Sequence, residues 1–331
     1  MKRHTPLSIA SLAIAAYAAL YGLYAWVGFG SAADNESPVG EISRWCERVS
    51  DGLMREPVNT LGNLGFVVAG LTMLWVLARD DVATSSRGNR FFGNQPLALL
   101  YAGAAVFLGP GSMLMHGSHT FFGAWLDNVS MVAYILIPWL YNLAQLAKWR
   151  MRTFFAVYAT VLGLYALLFW LFGRDLGIGL DLFGVSIALW IISEVLYRWW
   201  SPIARLWSGL VGFAVAAVFG ITPPEIFGNF GEYWWVILFW IPGLVASSAP
   251  PGRREYTPWF WAGIASFMVA YVIWLTGTAD HEWCRPDSLL QAHAVWHMLS
   301  AVATWCFFKF LRTERLLSPS ESPLTQSGAP L

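Results

Sequence analysis

Residues 96–117, PLALLYAGAAVFLGPGSMLMHG, form an apolar run that contains a single histidine near its end. A membrane-spanning helix needs about 20 consecutive apolar residues to cross roughly 30 Å of hydrocarbon, and this run has that length. Similar runs recur along the chain, at about 7–29, 57–78, 121–147, 153–173, 178–199, 204–221, 233–249, 257–276 and 288–311. The sequence therefore predicts an all-α polytopic membrane protein with ten transmembrane helices.

The composition of the whole chain indicates the same class. Hydrophobic residues make up 57% and charged residues 12% of its 331 residues, which is far from the average of soluble globular domains. Helices satisfy their own backbone hydrogen bonds in hydrocarbon, whereas the strands of a membrane barrel give short alternating patterns. The formal net charge of zero argues against nucleic acid as a partner.

The distribution of basic residues predicts the orientation, because Lys and Arg concentrate on the cytoplasmic side of membrane proteins. With Lys2 inside and the sides alternating at each predicted helix, 15 of the 20 basic residues fall on the inner side. Both termini are then cytoplasmic. A wrong number of helices would scramble this sorting, so the distribution favours the count of ten.

The two ends of the chain are predicted to differ from its centre. Residues 1–30 have a basic start, an apolar run and small residues, which indicate an N-terminal transmembrane anchor or, alternatively, a signal peptide. Residues 31–317 are expected to form one membrane domain. Residues 318–331, rich in Ser and Pro, are predicted to form a disordered cytoplasmic tail.

Polar residues within the apolar runs are candidates for function, because ionisable groups are energetically costly in a membrane. His293 and His297 are one helical turn apart and share a helix face, and His116 lies near the end of the run quoted above. Three imidazole nitrogens with an open fourth position are typical of catalytic zinc. The alternation of sides places these histidines and Asp127 in the outer half of the membrane. Isolated histidines such as His119 are expected to be hydrogen-bonded structural residues.

Two of the three cysteines are candidates for a disulfide. Cys46 and Cys284 both fall in predicted outer loops, while Cys306 lies within the last predicted helix. An oxidising outer compartment allows a disulfide between Cys46 and Cys284. The alternative is that both remain free thiols.

Five motifs in this chain resemble the alkaline ceramidase family. They are Trp45-Cys46-Glu47, residues 56–63 (EPVNTLGN), residues 111–116 (GSMLMH), residues 126–131 (LDNVSM) and residues 293–297 (HAVWH). Their order and spacing agree with the family over about residues 44–312. The family belongs to a superfamily of seven-helix membrane zinc hydrolases that also includes the adiponectin-type receptors. The resemblance implies a seven-helix ceramidase-like core with about three additional transmembrane helices.

The resemblance also implies a reaction and the residues that perform it. His116, His293 and His297 are expected to bind Zn²⁺, Asp127 to lie beside the attacking water, and Ser112 to help hold the reacting carbonyl. The substrate is expected to be ceramide or a related N-acyl membrane lipid, cut to a fatty acid and a sphingoid base. The sequence leaves open hydrolysis of another lipid amide or ester and a non-catalytic, receptor-like role. It does not indicate an oligomeric state.

A calcium site is a further expectation from the family, at Trp45, Glu47 and Glu56. This chain departs from the family pattern there, because Arg44 stands where an acidic residue is expected. Calcium takes six or more oxygen ligands, and a basic residue supplies none. The alternative is that Arg44 or its neighbour Arg48 neutralises Glu47 directly.

Overall fold

The computed structural model describes residues 3–30, 32–33, 36–80 and 88–317, so the predicted tail lies outside the described residues. The chain is mostly helical, as the sequence predicts. The α-helices, in chain order, are α1 (Thr5–Trp26), α2 (Pro57–Gly62), α3 (Leu64–Arg79), α4 (Pro96–Ser118), α5 (Phe121–Leu146), α6 (Met151–Phe172), α7 (Leu182–Arg198), α8 (Pro202–Trp207), α9 (Gly209–Val218), α10 (Pro223–Gly228), α11 (Ile241–Val245), α12 (Trp259–Leu275) and α13 (Ala292–Leu311). A 3-10 helix covers Trp234–Trp240, and two short strands, β1 (Gly252–Arg253) and β2 (Arg315–Leu316), pair antiparallel.

Six helices in the described ranges are long and apolar enough to cross a membrane. They are α1, α2 taken together with α3, α4, α5, α6 and α13. The other four predicted runs contain shorter helices. The runs at 178–199 and 257–276 contain α7 and α12, which have 17 residues each. The run at 204–221 is divided where α8 ends, just before Ser208, and the run at 233–249 begins as a 3-10 helix. A 17-residue helix is roughly 26 Å long, at the lower limit for a span. The count of ten spans and the side of each terminus stay predictions.

The chain divides into two compact units. The first contains Met1–Ser130 and Arg254–Glu314, and therefore helices α1–α4, the start of α5, α12 and α13. The second contains Met131–Arg253 and Arg315–Leu331, with the rest of α5, α6–α11 and both strands. Every candidate site residue named from the sequence lies in the first unit.

The second unit has its own buried core. Leu146, Ile192 and Phe239 belong to a cluster of buried apolar side chains. In the same unit, the side-chain amide of Asn142 donates a 2.8 Å hydrogen bond to Oε2 of Glu194, and both residues are buried. A buried carboxylate requires such partners, because its charge is otherwise poorly solvated.

In the first unit, glycines let neighbouring helices approach backbone to backbone. A Cβ atom on Gly70 of α3 would lie 2.5 Å from the backbone nitrogen of Val106 on α4, and one on Gly109 would collide with Val67. Small residues at the contacts of membrane helices permit this close approach. Likewise, a Cβ on Gly62 would lie 2.9 Å from the nearest α-carbon of α13. Helices α3 and α4, and helices α2 and α13, are therefore fixed closely against each other.

The contact at Gly70 gives a test of this packing. We expect Gly70→Val to lower the free energy of unfolding by roughly 1–3 kcal/mol, because the added side chain overpacks a full interface. Gly103 also lies on α4, and its ideal Cβ position has no atom of another element within 4 Å among the described residues, so Gly103→Val is the matched control. Thermal unfolding of the purified protein in detergent measures both. Equal midpoints for the two variants would contradict the close α3–α4 contact.

Candidate metal centre

Three imidazoles converge on one point in the first unit. Nε2 of His116, near the end of α4, lies 3.1 Å from Nε2 of His293 and 3.3 Å from Nε2 of His297, both in the first turns of α13. All three side chains are buried. A tetrahedral ion bound to nitrogen at about 2.0–2.1 Å holds its ligand atoms about 3.3–3.4 Å apart. The two distances measured from His116 are close to this value, and all three ligand atoms lie within 4.8 Å of one another, so this group can bind a metal ion.

The segment before α2 fixes the end of α4 through its backbone. The N–H of Glu56 donates to the carbonyl oxygen of His116 at 3.1 Å, and the N–H of Arg55 donates to that of Gly117 at 2.8 Å. Helix α2, which begins directly after this segment, packs against α13 at Gly62. One stretch of chain thus holds both of the helices that carry the histidines.

The carboxylate of Glu56 contacts two histidines and is itself only 2% exposed. Its Oε2 lies 3.0 Å from Nδ1 of His116 and accepts a 2.7 Å hydrogen bond from the side-chain amide of Asn59. Its Oε1 lies 2.7 Å from Nε2 of His119. A carboxylate on the far nitrogen of a ligating imidazole fixes the tautomer and raises the basicity of that ligand. Glu56 is thus placed to orient His116 toward the other two histidines.

His119 extends this set of contacts away from the metal centre. It follows α4 with a left-handed backbone, at φ 52°, and its Nδ1 lies 3.2 Å from Oε2 of Glu36. The interpretation of His119 as a hydrogen-bonded residue agrees with these contacts, but sequence reasoning assigned it no partner. The one signal in the sequence is its position three residues after His116, just beyond the end of the same apolar run.

Trp45 packs directly on the metal centre. Its ring stacks on that of His293, with centroids 4.2 Å apart and an interplanar angle of 19°. On Trp45, in turn, lies the guanidinium of Arg44, with its Cζ 4.8 Å from the ring centroid. The stacking restricts the rotation of the His293 ring. It also shows that Arg44 is engaged with an aromatic ring.

Glu47 caps the start of α2. Its two carboxylate oxygens accept backbone hydrogen bonds from Val58 at 2.7 Å and from Asn59 at 2.8 Å. The pKa of the Glu47 carboxyl is raised, because the effect of its burial exceeds that of these two hydrogen bonds, which lower it. A carboxylate at this position satisfies N–H groups that the helix itself leaves without acceptors. The contacts of Glu47 are thus those of a structural cap.

The residues expected to bind calcium are engaged elsewhere. Each carboxylate oxygen of Glu47 and Glu56 lies within hydrogen-bond distance of a nitrogen donor, and Trp45 stacks on an imidazole. Arg48, considered from the sequence as a partner of Glu47, instead places its Nε 2.6 Å from Oδ1 of Asp287. Calcium requires six to eight oxygen ligands, so this set of donors does not fit a calcium ion.

Cys46 and Cys284 form a disulfide, with their sulfur atoms 2.06 Å apart. The structure therefore contains the disulfide and not two free thiols. The bond joins the segment before α2 to the segment before α13. The backbone N–H of Arg48, which donates to the carbonyl oxygen of Pro286 at 3.1 Å, joins the same two segments. Both contacts lie close in sequence to Trp45, which stacks on the metal centre.

Ser112 and Asp127 lie on two helices that meet near His116. Ser112 is buried one turn before His116 on α4. A Cβ atom on Gly111 would lie 3.0 Å from the carbonyl oxygen of Leu126, so the start of α5 packs against this turn. Asp127 is near enough to His116 to interact with it electrostatically. The structure thus brings together the five residues named from the sequence, while their individual roles stay predictions.

Glu56 and Glu47 form a matched pair for testing the support of His116. With Zn²⁺ as the probe metal, we expect Glu56→Gln to weaken metal binding by about 10–100-fold, because an amide supports a ligating imidazole less well than a carboxylate. We expect Glu47→Gln, a change of the same size in a buried carboxylate that contacts backbone N–H groups, to leave the affinity for the same probe metal within about threefold of wild type. Titration of metal-free protein against a competing chelator measures both. Equal affinities for the two variants would contradict the orienting role of Glu56.

Comparison with known proteins identifies the family. The family model described as Ceramidase matches residues 41–326, a span that includes every site residue from Trp45 to His297. No curated protein sequence matches the chain. The match to this family indicates that the protein is a hydrolase that acts on ceramide. Because the match covers most of the chain, the protein belongs to the ceramidase family.

Proposed function

We propose that this protein is a membrane-embedded zinc-dependent amidohydrolase that cleaves the N-acyl bond of ceramide or a related lipid. The products are a fatty acid and a sphingoid base. The observation that carries the proposal is the convergence of three buried imidazoles in a member of the ceramidase family. Nε2 of His116 lies 3.1 Å from that of His293 and 3.3 Å from that of His297.

The donor set supports zinc as the metal. Imidazole nitrogens suit Zn²⁺, and three protein ligands leave the fourth tetrahedral position for water or substrate. When bound in such a site, zinc polarises a carbonyl and makes water acidic enough to act as a nucleophile near neutral pH. The Glu56 carboxylate on the far nitrogen of His116 supplies the outer contact that zinc-ligating histidines usually have.

Asp127 and Ser112 supply the remaining chemistry in this proposal. Asp127 accepts a proton from the attacking water as the oxygen–carbon bond forms, and later delivers it to the amine nitrogen as the carbon–nitrogen bond breaks. Ser112 donates a hydrogen bond to the carbonyl oxygen, which becomes negative in the tetrahedral intermediate. Both side chains belong to helices that pack near His116, and the reacting amide is placed between them.

The membrane supplies the substrate in this proposal. The apolar helices keep the site within reach of lipid hydrocarbon, and the distribution of Lys and Arg favours a site in the outer half of the membrane with both termini cytoplasmic. A lipid then reaches the three histidines from within its own leaflet. Proteins or nucleic acids are not needed as partners for this reaction.

Removal of one metal ligand tests the proposal directly. We expect His293→Ala to lose bound zinc and ceramide hydrolysis together, because two imidazoles hold the ion poorly. His281→Ala, in the connection before α13 and outside the metal centre, is the control and is expected to keep both. Metal analysis and a lipidomic assay that offers ceramides, other N-acyl amides and glycerolipid esters together measure these outcomes. Full zinc and full activity in His293→Ala would refute the function, and cleavage of esters alone would replace the substrate class.

The roles of Asp127 and Ser112 separate in a second test. We expect Asp127→Asn to lower the rate of hydrolysis by about 10²–10⁴-fold, since an amide cannot carry the proton. We expect Ser112→Ala to lower it by about 10²–10³-fold through loss of one hydrogen bond to the oxyanion. Zinc content, measured in parallel, is expected to stay at the wild-type level in both. An undiminished rate in Asp127→Asn would exclude it as the proton carrier.

A further inference from the structure

An apolar cavity of about 290 Å³ lies between α1, α3 and α4. Helix α1 contributes residues spaced along one face, including Ile14, Tyr17, Ala18 and Tyr21. Apart from the tyrosine hydroxyls, the side chains around the cavity are hydrocarbon or thioether. Helix α1 lies outside the residues that match the family, 41–326. The cavity is thus formed in part by a segment that the family match does not cover.

The cavity starts at the level of the metal centre. The hydroxyl of Tyr21 donates a 2.8 Å hydrogen bond to the carbonyl oxygen of Leu53 and lies against Gly117, the residue after His116. Any side chain at position 117 would collide with this hydroxyl. Met113 and Pro110 line the cavity on α4, about 4.5 Å and 9 Å along the helix axis from His116. The cavity therefore runs from the level of the histidines along α4.

One polar group in the wall lacks a partner. The Tyr17 hydroxyl is buried and makes no hydrogen bond within the described part of the chain. Tyr17 lies one helical turn from Tyr21, with ring centroids 6.0 Å apart. An unpaired buried hydroxyl is unfavourable, and an occupant that brings a hydrogen-bonding group would relieve this cost. The wall is thus suited to a hydrocarbon chain that carries a polar group near its reacting end.

We propose that this cavity binds the sphingoid-base chain of the substrate, with the Tyr17 hydroxyl hydrogen-bonded to a hydroxyl of that base. The inference rests on the proposed function, because it takes a ceramide as the lipid that is hydrolysed at the three histidines. Of the two chains of a ceramide, the base carries hydroxyls beside the amide. A simple N-acyl chain carries none and would leave Tyr17 unpaired. The cavity then selects the base by its length and its hydroxyl.

Two glycines provide a matched pair of variants. Gly22 lines the cavity, and its ideal Cβ position has no atom of another described helix or loop within 4 Å, so Gly22→Leu adds a side chain that takes up space in the cavity and whose Cβ meets no neighbour. Gly103 on α4 has the same free space and does not line the cavity.

Two series of ceramides serve as substrates, one that varies the base chain and one that varies the acyl chain. We expect Gly22→Leu to lower kcat/KM for long-base relative to short-base ceramides at least about tenfold, as crowding of an apolar pocket does. The acyl series and Gly103→Leu are expected to behave as wild type.

Tyr17→Phe tests the hydrogen bond. We expect kcat/KM for ceramide to fall about tenfold, and that for its 3-deoxy analogue to stay near the wild-type value, because only the first substrate offers the hydroxyl. Discrimination by acyl length alone in Gly22→Leu, or no discrimination while wild type hydrolyses ceramide, would overturn this occupant and leave the proposed function standing. Failure of wild type to hydrolyse any ceramide would overturn the proposed function and this inference with it.

Discussion

The carboxylate of Glu56, held between the imidazoles of His116 and His119, is the contact on which the metal centre depends. A charge that is almost completely buried requires hydrogen-bonding partners, because the apolar interior solvates it poorly. Glu56 has three of them, all nitrogens. The backbone of the same residue holds the carbonyl of His116, so one residue fixes both the main chain and the ring of this ligand. Helix α2 starts at the next residue and packs against α13, so the position of Glu56 also fixes the helix that carries His293 and His297.

The parts of this site that sequence predicts are those set by local spacing. His293 and His297 share a face because they are four residues apart, and His116 stands near the end of another apolar run. The alternation of membrane sides at each predicted helix places Cys46 and Cys284 together in outer loops, and the structure joins these two cysteines by a disulfide. The first inference needs only helix periodicity, which neighbouring residues specify, and the second needs only the order of the apolar runs along the chain.

The parts that sequence did not predict are contacts between distant segments. Stacking of Trp45 on His293 and the approach of His119 to Glu56 depend on how helices pack, and no local pattern encodes either. The same tertiary contacts engage the carboxylates of Glu47 and Glu56, two of the expected calcium ligands, with nitrogen donors. Hydropathy likewise does not resolve helix breaks, such as the one near Ser208, because a broken apolar run and a continuous one have the same composition.

The disulfide has a consequence for the covalent connectivity of the chain. Cys46 and Cys284 are 238 residues apart, and the bond closes the chain between them into a ring. This ring contains His116 and most of the second unit, whereas His293 and His297 lie on the segment that leaves it. A protease cut in any loop of the ring therefore gives two fragments that remain one molecule, with all three histidines still covalently connected.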